Sequence, residues 1–96
     1  MIKHVVCYQL IDNSLEKRIE AKNVLMSMEN KIDLIKDIKV GIDILGSARS
    51  YDIVLEMVFN SLEDMAKYQE NEYHVSVVKK YMHSVRKTSV SVDYEF

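Results

Sequence analysis

Four stretches of this chain alternate in side-chain character with a period of two, and helical spacing fills two of the three gaps between them. That order restricts the fold more than any other feature. Ile2, His4, Val6, Tyr8 and Leu10 point one way, and Lys3, Val5, Cys7 and Gln9 the other. Asn13 followed by Glu16 resembles a capping box, and Leu15, Ile19, Leu25, Met28 and Ile32 then recur at helical spacing, predicting a helix over about Ser14 to Asn30. Ile38, Val40, Ile42 and Ile44 predict a second strand, broken by Gly46-Ser47-Ala48. Tyr51, Ile53, Leu55, Met57 and Phe59 predict a long third strand. Asn60 and Glu63 signal another helix start, with Leu62, Met65, Ala66 and Gln69 forming a short helix. His74, Val77, Val78, Tyr81 and Val85 share one face of a further helix, so this second helical region is split near Asn71. Val90, Val92 and Tyr94 alternate with Ser91, Asp93 and Glu95 in a last strand.

The predicted order is β-α-β-β-α-β, the ferredoxin-like α+β arrangement: a four-stranded antiparallel sheet with helices on one face. The 96 residues suit one domain, 1–96. A chain of this size buries roughly 60–65% of its unfolded surface, so its core is thin. With no proline and only Gly41 and Gly46, no linker or disordered tail is indicated. The net charge of −2 supplies no broad basic field for nucleic acid. No apolar run approaches the ~20 residues of a membrane span, and the N-terminal stretch has no signal-peptide pattern, so the expectation is a cytoplasmic protein. Cys7 is the lone cysteine, which excludes an internal disulfide.

Helices cover one side of such a sheet. The opposite side is expected to mix Val5, Cys7, Val54 and Val58 with Gln9, Asp52, Glu56, Ser91 and Asp93. That is too apolar a surface to leave wet, and the same face of a second copy is the simplest cover, predicting a homodimer through the helix-free sheet face.

Met1-Ile2-Lys3-His4-Val5-Val6, Arg49-Ser50-Tyr51-Asp52-Ile53-Val54-Leu55, Phe59-Asn60-Ser61-Leu62-Glu63-Asp64, Tyr68-Gln69 and the closing Val92-Asp93-Tyr94-Glu95 together resemble the stress-responsive dimeric α/β barrel (Dabb) family. The resemblance runs in order along nearly the whole chain. It implies a dimeric α/β barrel in which two sheets pair. A plant polyketide cyclase of that family uses a tyrosine and two histidines around a pocket between sheet and helices. The resemblance carries these roles to Tyr68, His74 and His4, and the aliphatic lining to Val6, Tyr8 and Leu55. This chain has Asn71-Glu72 where many relatives have His-Pro, and Tyr8 is bulkier than the usual aliphatic residue.

As chemistry, His74 is placed beside Val77 and Val78 on an apolar helix face, where an imidazole titrating near neutral pH can abstract a proton next to a ketone. Tyr68 can donate to a carbonyl or enolate oxygen. His4 shares the inward sheet face with Val6 and Tyr8, and Val77 and Tyr81 are expected to complete the lining. The plainer alternative for each is a hydrogen-bonded or packed core residue. No cofactor and no metal are implied: His4, His74 and His83 form no ligand motif, and His83 is expected to face solvent. Cys7 reads as inert packing, and Lys79, Lys80, Arg86 and Lys87 as a solvated basic cluster. The six methionines read as core filler.

Three functions follow. The first is a dimer that binds, or transforms without cofactor, a small apolar ketone- or phenol-type metabolite, in the manner of a polyketide cyclase or lyase. The second is a stress-related structural protein with no turnover. The third is a cofactor-independent monooxygenase of the same broad fold.

Overall fold

The computed structural model describes all of residues 1–96. The chain runs β1 (Ile2–Leu10), α1 (Leu15–Met26), β2 (Asp37–Ile42), β3 (Ile53–Phe59), α2 (Leu62–Glu70), a π-helical segment (His74–Lys79), α3 (Lys80–Val85) and β4 (Arg86–Glu95). A single 3-10 turn, Ser27–Asn30, extends α1. The four strands form one antiparallel sheet, as the β-α-β-β-α-β order predicts, and lie in it in the order β2-β3-β1-β4. The principal extents of 34 × 28 × 19 Å describe a slab two layers thick, helices on sheet.

Ile2, Val6 and Leu10 from β1 and Ile53, Leu55, Met57 and Phe59 from β3 are buried beneath Ala21, Leu25, Met28, Tyr68, Val78 and Met82 from the helical layer. This is one continuous core, and its two central strands carry the strictest alternation in the sequence.

Local chemistry moves several expected boundaries. Ser14, not Asn13, caps α1: its Oγ accepts from Lys17 N at 3.3 Å, and its own N–H donates to Asp12 Oδ1 at 3.0 Å. Ser61, not Asn60, caps α2 by accepting from Asp64 N at 3.1 Å. β2 ends at Ile42, leaving Ile44 in the following loop at 99% exposure rather than in a strand. Gly46 has φ of 67°, a left-handed turn conformation that costs a side-chain-bearing residue about 1–2 kcal/mol.

The largest correction concerns β4. Its register pairs Asp93 with His4, Ser91 with Val6 and Ser89 with Tyr8, so these polar residues lie on the helix side of the sheet. Tyr94, Val92 and Val90 pair with Lys3, Val5 and Cys7 on the uncovered side. Val54, Glu56 and Val58 of β3 continue the same face. The uncovered face is therefore more apolar than the alternation predicts, with Val92 64% exposed on its edge strand.

Candidate functional site

α2 is held at both ends by its own residues. Glu63 and Asp64 in its first turn complement the positive end of the helix dipole, and the helix stops at Asn71. Asn71 Oδ1 then accepts from His74 N at 3.2 Å, so the residue that ends one helical segment caps the next. His74 Nδ1–H donates to the Gln69 carbonyl at 3.3 Å, an acceptor left over at the end of α2. These bonds bring His74 back over Tyr68, with ring centroids 4.3 Å apart and planes 35° off parallel.

Behind Tyr68 lie two more rings. Phe59 of β3 is 5.0 Å away centroid to centroid, and His4 of β1 meets Tyr68 edge-on at 6.2 Å. His4 Nδ1 is bonded to the Asp93 carboxylate of the neighbouring strand. Asp93–His4–Tyr68–His74 is thus a contiguous row from the sheet to the helical layer.

A cavity of about 160 Å³ opens beside this row. Tyr68 and His74 line it together with Val6 and Tyr8 of β1, Leu25 of α1, and Val78 and Met82. Its rim is made by Lys79, His83, Arg86 and Ser89. Not every expected lining residue arrives. Leu55 is buried under the core and does not reach the cavity. Val77 is 44% exposed, and Tyr81 donates from its hydroxyl to Glu20 Oε1 at 2.8 Å, away from the cavity. The cause is the wide turn of the π-helical segment, which puts His74, Val78 and Met82 on the inner face four residues apart. His83 is exposed, as expected, and it also stands at the rim of the cavity.

The electrostatics distinguish the two aromatic partners. Burial pushes the His74 imidazole below its ordinary value near 6.5, with Lys79 and His4 adding to the effect and the Gln69 carbonyl opposing it. His74 is therefore neutral at pH 7. With Nδ1–H donated to Gln69, its basic lone pair sits on Nε2. Nε2 has no protein partner and is not sealed away, since Arg18 Nε is the one unpartnered side-chain nitrogen or oxygen buried from solvent. Burial pushes the Tyr68 phenol well above its usual range, so it stays protonated. Its hydroxyl donates to Met28 Sδ at 3.8 Å, a weak acceptor. The Tyr8 phenol is pushed up to about 12 by burial, against the opposing charge of Arg86.

No cluster of three His, Cys, Asp or Glu side chains gathers anywhere as a metal site. Burial and nearby Glu56 push the Cys7 thiol up, which suits packing rather than nucleophilic attack. No helix is long and apolar enough to cross a membrane.

A four-stranded antiparallel sheet with helices on one face and the other face uncovered defines the ferredoxin-like class of α+β fold. Residues 2–96 match the family model described as the stress responsive A/B barrel domain, and the chain belongs to that family. No curated protein matches the sequence. Among solved structures, a dimeric protein of unknown function with a ferredoxin-like fold from Bacteroides fragilis is 27% identical, with a TM-score of 0.81 over 99% of this chain and 95% of that one. A protein from Arabidopsis thaliana is 25% identical, with a TM-score of 0.85 over 100% and 95%. A hydroxynitrile lyase from Passiflora edulis shares the fold at 17% identity, with a TM-score of 0.78 over 97% and 90%.

Proposed function

We propose that the protein is a homodimer, paired through its helix-free sheet face, that binds a small apolar ketone- or phenol-type metabolite beside Tyr68 and His74 and enolises it without a cofactor. The observation that carries this reading is the state of His74, a residue lining the cavity: neutral, oriented by a backbone carbonyl, with Nε2 unpartnered. In the proposed step Nε2 takes a proton from the carbon next to the carbonyl, and the electrons of the broken C–H bond pass to the carbonyl oxygen as an enolate. Tyr68 stacks the imidazole, and its hydroxyl, held only by the weak acceptor Met28 Sδ, would turn from that sulfur to donate to the oxygen. His4, fixed by Asp93, is a positioning residue that acts through Tyr68, because it does not line the cavity.

The test is exchange of the α-protons of a simple aryl ketone such as 4-hydroxyacetophenone into deuterated water, followed by proton NMR. His74→Ala should slow protein-dependent exchange about 10²-fold or more, while circular dichroism and sedimentation stay as in the parent. Unchanged exchange removes His74 from the role of base.

A second reading, a stress-related protein with no turnover, rests on the Tyr68 hydroxyl being occupied by Met28 and turned into the core. It expects no protein-dependent exchange at all, and melting behaviour indifferent to ketone.

A further inference from the structure

None of the eleven residues lining the cavity is an aspartate or glutamate, yet Lys79, His83 and Arg86 stand together at its exposed end. The whole chain carries a net charge of −2, so this rim is a local reversal of sign and not part of a general basic surface. Lys17 and Lys67 have carboxylate partners on their own helices; Lys79 and Arg86 have none. Lys79 and His83 are four residues apart on consecutive turns, so both reach the same edge. Arg86 occupies the junction of α3 and β4, where the strand register against β1 shifts, and its Nη1 donates to Ser89 Oγ at 3.1 Å. That bond holds the guanidinium beside the opening, close enough for its charge to act on Tyr8 inside.

The cavity therefore has two unlike ends. One is apolar and carries an imidazole. The other offers guanidinium and ammonium donors with no carboxylate among the lining residues to neutralise them. Building on the reading of this cavity as a ketone- or phenol-binding site, we infer that its ligand is a small amphipathic acid, a keto acid or phenolic acid. The apolar body lies against Val6, Val78 and Met82, and the carboxylate is held at the rim by Arg86 and Lys79. A volume of about 160 Å³ suits an anion of one-ring size and not a nucleotide. The planar fork of Arg86 matches a carboxylate.

The experiment compares 4-hydroxyphenylacetate with its neutral near-isostere 4-hydroxyphenylacetamide, by amide NMR titration of the full chain. The acid should bind about tenfold more tightly and shift the Val6 and Val78 resonances. The double variant Lys79→Gln, Arg86→Gln should erase the difference between acid and amide. Lys80→Gln, at an exposed basic residue of α3 that does not line the cavity, should keep it, which separates recognition at the rim from general surface charge. Equal affinities in the parent protein overturn the inference. If neither compound shifts those resonances while ketone exchange still depends on His74, the acid assignment fails and the proposed enolisation survives. If binding and exchange are both absent, the ligand site itself is refuted.

Discussion

His74 illustrates how much a single side chain's chemistry depends on what its two nitrogens meet. A donated Nδ1–H fixes the tautomer, and burial lowers the affinity for a second proton. The same depression has a consequence for stability. Below the ordinary value near 6.5, the unfolded chain takes up a proton at this position before the folded chain does. Folding stability contributed by His74 is then present above that pH and falls as the solution is acidified through it. Urea melts of the parent and of His74→Asn at pH 7.5 and 5.5 test this: the parent should lose more stability on acidification than the variant. An equal loss in both would show that the imidazole is not depressed. His4 was legible in the sequence as an inward strand residue. Its partner Asp93 was not, because alternation defines two faces of a strand without saying which one faces in. Ser89, Ser91 and Asp93 face inward on β4 because that edge of the sheet lies over a cavity and a histidine rather than over packed aliphatic residues.

Among the elements, α2 shows the clearest dependence on one cap. Ser61 supplies the hydroxyl that accepts the Asp64 N–H, and the helix it starts places Tyr68. Ser61→Ala should cost about 1 kcal/mol of stability, read from denaturant midpoints. The loss should be smaller for Asn60→Ala, since Asn60 is not the cap. Both caps lay one residue from their expected positions because Asn-Ser pairs precede both helices and either residue type can cap. The central strands β1 and β3 were readable almost to their ends, since each buries one parity more deeply than the other, whereas β4 begins at Arg86, ahead of the alternation that starts at Val90. The segment after Asn71 was readable as helical, with His74 and Val78 inside. Its π-helical turn was not, because a 3.6-residue period assumes uniform winding. Adding one residue to a turn rotates everything after it, which brings in Met82 and turns out Val77. The rim of the cavity was missed for a related reason: Lys79, His83 and Arg86 look like an ordinary solvated face until β4 is placed beneath them.

At the scale of the whole molecule, only 18 of 96 residues are buried in the isolated chain, while Val90, Val92 and Tyr94 are left exposed on a sheet face. In the proposed pairing a second sheet laid on the first covers these residues; the Bacteroides fragilis relative is itself described as dimeric. Val92→Asp sets a carboxylate on that face, midway along edge strand β4, while leaving the helix-side core intact. It should convert dimer to monomer in sedimentation at micromolar concentration and lower the melting temperature in a concentration-dependent way. A variant that still sediments as a dimer would place the interface elsewhere.

The central strand β1 is flanked by β3 on one side and β4 on the other, and the His4–Asp93 bond spans 89 positions of sequence. Half of the innermost ladder therefore forms only between opposite ends of the polypeptide. Folding therefore requires that distant closure, and contact order places a mixed helix-and-sheet chain of this kind between fast helical bundles and slow all-β folds. While it emerges from the ribosome, β1 waits with one bare edge until the last ten-residue strand is released, the interval in which it is most open to pairing with a neighbouring nascent chain.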